Sequence, residues 1–360
     1  MKITIIDPHK LLTGFGKAWN IHRWLIELIK ETKPYFYISN KSHLAYLPVF
    51  LKRTGLSYSD FKILFSIKTV YSRSDLLFYP WGLPSEKNRE TIQNVLRQYN
   101  GFKIVHMQDF WFQAQNASRF LLNSGVDYIA GYSRHDKDTP FFQKFFPEFV
   151  GRVISLPFGY AEDLWFTQTD IIDRKEKVLG AGAIETIHYI KSSGAYDHIR
   201  EYMDYFKEGF TSMHPVRFEL NNNIDKYESF IKNNFNIKGT PYQFVEDMNG
   251  YMNRFQLFIN DQSLVSFPPA KTYEGCAAGA IMVAEEVDCF KRLGFRDDKN
   301  CILFPEGDFN VMKEKIVRFF SLSDKQKKDF QKSSLDLIAK YQHDRVASRF
   351  VDDLKSILKQ

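Results

Sequence analysis

Short apolar runs alternate along the chain with longer stretches in which apolar residues recur every three or four positions. Residues 2–6, 35–39, 76–79, 103–107, 128–131 and 153–156 form the first series of runs. Five of the six are apolar with little alternation, as in strands covered by helices on both faces. Between the first two runs, Ala18, Ile21, Leu25, Leu28 and Ile29 share one helical face. A second series begins at residues 177–182 and continues with expected strands at 216–220, 257–260 and 280–284. A helix is expected at 197–207, with Ile199, Tyr202, Met203 and Phe206 at helical spacing, and three closing helices at 311–320, 325–341 and 345–358. Strands that alternate with helices imply parallel sheets.

A chain of 360 residues is too long for one compact core and comfortable for two. The polar stretch 167–177, with Asp170, Asp173, Arg174, Lys175 and Glu176, reads as the linker. The expected division is a first domain over 1–172, a second over 173–344, and a closing helix over 345–360 that packs back on the first. The class is α/β, with two Rossmann-like domains facing a central cleft, because parallel sheets bind ligands at the carboxyl ends of their strands.

Charge changes the picture in one respect. Residues 1–172 hold 21 Lys and Arg against 15 Asp and Glu, while the remainder holds 28 of each, so the whole excess of +6 lies in the first half. Either that half meets an anionic partner, such as a membrane surface or a phosphorylated acceptor, or the surface is merely solvated. Aromatic and basic residues interleave at Trp19, His22, Arg23 and Trp24 and again over 141–149, which suits a membrane interface or core packing equally. No nucleic-acid motif is visible. Cys276, Cys289 and Cys301 contain no C-x-x-C spacing and read as reduced core thiols. The first residues read as a strand and no apolar run approaches the roughly 18 residues that span a bilayer. The expected location is therefore the cytoplasm, with the inner face of the cell membrane as the place of contact.

The chemistry concentrates in Pro268-Pro269-Ala270-Lys271-Thr272-Tyr273-Glu274-Gly275-Cys276-Ala277-Ala278-Gly279, followed by the run Ala280–Ala284 and then Glu285 and Glu286. Two prolines stop the preceding element. A helix then opens with free first-turn amides, which suit an anion, and Gly279 ends it. Gly180 and Gly182 open the second domain with a loop that can approach a phosphate closely. Gly14, Phe15, Gly16 and Lys17 form a similar loop in the first domain, which either approaches a sugar or phosphate or makes a tight turn. Trp19 stands where a dinucleotide fingerprint needs its third glycine.

The segment resembles the nucleotide-sugar motif of glycosyltransferase family 4 and related GT-B enzymes, including the CgeB-like group. Pro269, Lys271, Glu274, Ala277 and Gly279 match its P-x-K-x-x-E-x-x-A-x-G pattern. The resemblance implies GT-B architecture and hexosyl transfer from a UDP- or GDP-sugar to a glycan, glycolipid or phosphorylated acceptor. It also implies retention of configuration, a role in surface polysaccharide synthesis, and neither cofactor nor metal. Glu274 would hold the ribose, and Ala270, Lys271 and Thr272 would lie at the diphosphate. Ser266 stands where the family carries a second glutamate, and Asp261 is the candidate substitute over the sugar.

Residues 103–109 resemble the family strand that ends in His-Asp. Gln108 replaces the histidine, Asp109 is kept as a candidate catalytic group, and His106 reads as a structural histidine. Residues 128–133 resemble the strand that ends in serine. His135, just beyond it, is a candidate substrate contact or part of a surface loop. Lys191 and Arg254 are the candidate cations for the leaving group. The departures at Ser266 and Gln108 keep open a non-catalytic binding or scaffold subunit, or an inverting GT-B enzyme with another donor.

Overall fold

The computed structural model describes residues 1–6, 12, 23–207, 210–241 and 245–359. The loop Gly14–Lys17, with Trp19 and His22, lies outside the described residues. The chain forms two compact units, one of residues 1–158 and 343–360, the other of residues 159–342.

The first unit is built on a seven-stranded sheet of β1 (Ile3–Ile6), β2 (Tyr35–Tyr37), β3 (Lys62–Leu64), β4 (Leu76–Tyr79), β5 (Phe102–Met107), β6 (Tyr128–Gly131) and β7 (Val153–Ser155). The order is β3-β2-β1-β4-β5-β6-β7 and every pairing is parallel. The strand order reverses between β1 and β4. The central strands β1 and β4 are buried at every residue, which is why their sequences are apolar without alternation. The helix His343–Ile357 belongs to this unit: Phe350 meets the rings of Trp24 and Phe78, and His343 Nε2 lies 3.0 Å from the Phe158 carbonyl.

The second unit holds β8 (Lys175–Ile184), β9 (Ile231–Ile237), β10 (Phe255–Ile259), β11 (Ile281–Glu285) and β12 (Ile302–Phe304), in the parallel order β12-β11-β10-β8-β9. Its strand order reverses between β8 and β10. Leu257, Ile259, Ile281 and Val283 pack with Ile302, Phe304, Met312 and Ile316 in one core.

Two expectations change here. Residues 216–220, expected as a strand, lie in the helix Pro215–Asn222. Pro215 opens it at a position that needs no amide hydrogen, and only Val216, Arg217 and Leu220 are buried, one face of a helix. The polar stretch 167–177 is part of the second unit. Arg174 is buried there, its guanidinium donating to the Thr169 and Ala278 carbonyls and to Asn253 Oδ1, so its charge serves as an internal clamp.

The helix Ala270–Ala277 opens as expected and presses onto β10, since a Cβ on Gly275 would come within 2.6 Å of the Phe258 ring. It ends in a Schellman arrangement: the Ala280 amide donates to the Gly275 carbonyl and the Gly279 amide to the Cys276 carbonyl. Gly279 has φ +80°, and a side chain there would meet Thr167, Arg174 and Gln331 within 2.8 Å. The three cysteines are free and buried.

Candidate functional site

The carboxyl end of β8 outruns its neighbour. Its register with β9 continues to Ile184, whereas its register with β10 stops at Leu179. Beyond that point two cations take the backbone carbonyls of β8. Lys271 Nζ, reaching back from the helix Ala270–Ala277, donates to the Ala181 carbonyl. Arg217 Nη1, from the helix Pro215–Asn222, donates to the Ala183 carbonyl at 2.9 Å. The crevice where strand order reverses is where open parallel sheets bind ligands, and here two cations stand in it, with Asp261 acting on both and Glu274 on Lys271.

Neither cation has a full set of partners. Arg217 is buried, and its Nε has no acceptor among the described residues. A buried guanidinium that leaves a donor unused is costly. Burial and the adjacent Arg217 charge hold the Lys271 ammonium well below the usual lysine range. Two like charges side by side in a low-dielectric crevice stabilise one another only through an anion. At the mouth, the helix Ala270–Ala277 has no side-chain cap, so its first amides and its dipole add to the same field.

Glu274 stands one turn further along. Burial raises its carboxyl to about 7, offset by the attraction of Lys271. Its carboxylate accepts no hydrogen bond among the described residues. It is half-buried and therefore open to hydroxyl donors from a ligand.

Asp261, expected over the sugar, is consumed by the protein. It is 1% exposed, and its carboxylate accepts from the Arg217 amide at 3.1 Å and the Ser263 amide at 2.9 Å. It caps the helix that carries Arg217, so its influence on a ligand runs through that residue. Thr272 is likewise tied, its hydroxyl oxygen accepting from Asn260 and its amide donating to the Pro269 carbonyl. Ala270 opens the helix. Gly180 is required by packing, since a Cβ there would meet the Phe235 ring at 2.7 Å. Lys191 is exposed on the helix Ile187–Ser192. Arg254 precedes β10, at the amino ends of the strands, where it lies over the Tyr251 ring. The structure does not bring it to Lys271.

In the first unit, Asp109 is exposed just past the carboxyl end of β5. His135 is fully buried against Phe110 and Phe142, with Ser133 Oγ 3.0 Å from its Nδ1, and burial lowers its pKa to about 3. It is a neutral packing residue with no face open to a substrate. His106 is buried between Trp24 and Tyr132. The aromatic runs at Trp24 and over 141–149 are core: Trp24, Phe141, Phe142, Phe146 and Phe149 are all buried. Among the described residues, no cluster of His, Cys, Asp and Glu suits a metal, and no helix is long and apolar enough to cross a membrane.

No protein-family model matches the chain, and no curated protein sequence resembles it significantly. Solved structures do. HepE from Anabaena, solved with UDP and glucose, aligns over 99% of this chain and 100% of its own with a TM-score of 0.55 at 13% identity. The chain has the GT-B fold. A glycosyltransferase from Rickettsia africae (TM-score 0.54, 12% identity) and the sucrose-phosphate synthase of Thermosynechococcus elongatus (0.53, 11%) each align over 100% of this chain and 99% of their own.

Within this GT-B chain, Arg217 is the functional candidate that sequence reasoning missed, because its helix read as a strand. The signal lay in Gly182. That residue has φ +126°, and a Cβ on it would lie 2.9 Å from the Arg217 guanidinium. Gly182→Ala is therefore expected to displace Arg217 and to lower the melting temperature, since a side chain at that φ is strained. Thermal unfolding checks this, and an unchanged melting temperature would show that the Arg217 position tolerates a side chain at Gly182.

Proposed function

We propose that this chain is a glycosyltransferase whose donor, a nucleoside-diphosphate sugar, binds at the carboxyl ends of β8 and β10. The observation that carries the reading is the pair Lys271 and Arg217, whose guanidinium Nε has no acceptor among the described residues, beside a carboxylate that accepts no hydrogen bond among them. A diphosphate satisfies the pair and ribose hydroxyls satisfy Glu274. UDP is the favoured diphosphate, because HepE was solved with it.

The bond between the anomeric carbon and the diphosphate oxygen breaks, and its electron pair stays on the leaving phosphate. Lys271, Arg217 and the helix amides stabilise that growing charge. The acceptor hydroxyl oxygen bonds the anomeric carbon and gives up its proton to the departing diphosphate oxygen. Transfer with retention to a glycan, glycolipid or phosphorylated acceptor, in surface polysaccharide synthesis, completes the proposal, as the motif's likeness to family 4 supports. Ser266, which supplies no carboxylate at the family's second position, favours one further reading, a donor-binding subunit that does not transfer.

A thermal-shift series tests the core of this. UDP at 100 times its dissociation constant is expected to stabilise the protein by ~2.7 kcal/mol, and UDP-hexose with acceptor to release UDP. No shift with any nucleoside diphosphate sinks the reading. A shift without release leaves the binding subunit.

A further inference from the structure

Residues 41–74 carry six Lys and Arg against one acid, Asp60. That acid is turned inward on its own loop, accepting from the Ser57 amide and hydroxyl. The same stretch holds four of the eleven large apolar side chains exposed among the described residues: Tyr46, Val49, Tyr58 and Phe65. Positive charge and exposed apolar surface thus coincide on one tenth of the chain, at the outer edge of the seven-stranded sheet, where β3 is the last strand.

The helix Leu47–Thr54 divides these residues cleanly. Leu47 and Phe50 are buried, Phe50 against Phe36 and Phe61. Tyr46, Val49, Lys52 and Arg53 are exposed, and their spacing of three, four and seven sets them along the opposite face. Lys41 lies over the exposed Phe65 ring, 5.5 Å from its centroid, which joins the start of this helical region to the end of β3. A row of apolar side chains flanked by basic ones, in a stretch whose one acid is Asp60, matches a bilayer interface: the rings and Val49 enter the headgroup region and the cations meet lipid phosphates.

We propose that this face, carried by Lys41, Tyr46, Val49, Lys52, Arg53 and Phe65, docks the protein on an anionic lipid bilayer. The consequence for function, which rests on the glycosyltransferase reading, is that the acceptor is presented at that lipid surface.

Co-sedimentation with vesicles of phosphatidylglycerol and phosphatidylcholine tests it against vesicles of phosphatidylcholine alone. Binding is expected to the anionic vesicles only and to weaken with salt. The double variant Lys52→Gln/Arg53→Gln should lose about 25-fold in partition, roughly fivefold for each charge removed. Tyr46→Ser/Val49→Ser should weaken binding at high salt, where the apolar part dominates. Both pairs are exposed, and melting temperature and UDP affinity should stay at the wild-type values. Equal binding to neutral vesicles, no vesicle binding, or variants that bind like wild type overturns the proposal. UDP affinity is read on the same samples, so loss of the membrane site and failure of the donor site are separate results.

Discussion

Lys271→Met and Arg217→Met should each lower UDP affinity by about 30-fold to 1,000-fold, the range expected when one partner of a buried charged contact is lost. In the proposed donor site the two side chains act on one anion from two helices, so the double variant should lose less than the product of the single losses. Methionine keeps the aliphatic stem and fills the crevice, which limits destabilisation to the polar part. It also removes the like-charge crowding that depresses the Lys271 ammonium, so the ligand-free melting temperature of either variant should fall little or rise. A variant that melts near wild type and binds UDP unchanged would remove that cation from the donor site.

The second large effect is pH dependence through Glu274. Burial raises its carboxyl to about 7, and in the proposed donor site the ionised form is the one that accepts from ribose hydroxyls. Affinity for UDP-glucose should therefore be full above pH 7 and fall towards tenfold for each unit below it. The sugar nucleotide is the right probe, since its diphosphate has no terminal phosphate to titrate in this range. Glu274→Gln should bind weakly at every pH and lose the acid limb. Stability of the free protein moves the other way. Because the folded pKa lies above the ordinary carboxyl value, this group's contribution is complete below about pH 4.5 and is lost as pH rises through about 7. Glu274→Gln should flatten that slope in denaturant titrations. A wild-type acid limb that persists in Glu274→Gln would assign it to another group.

The sequence made the fold legible where strands are central and the site legible where one segment carries it. Residues 76–79 and 280–284 are buried on both sides and therefore read as apolar runs. Three strands escaped notice, β3, β9 and β12, and each is the edge of its sheet. In β9 the run Ile231-Lys232-Asn233-Asn234-Phe235 is half polar because one side of an edge strand meets water. Lys271 and Glu274 were readable because they share a helix with the prolines and Gly279 that frame it.

Arg217 was not readable. It is brought to β8 by a helix more than thirty residues away in sequence, held by Asp261 from the end of β10, a tertiary arrangement with no local signature. The internal bonds of Asp261, His135 and Thr272 have no local signature either. Each is polar and well positioned in sequence, and each bonds inside the protein: Asp261 with the Arg217 amide, His135 with Ser133, Thr272 with Asn260.

The central claim is that this crevice holds a diphosphate, and the direct measurement is calorimetric titration of uridine, UMP and UDP into the wild-type protein and the Lys271→Met/Arg217→Met double variant. In wild type, affinity should climb steeply from uridine to UDP. In the double variant the three ligands should bind alike. Equal affinities for uridine and UDP in the wild-type protein would contradict the account.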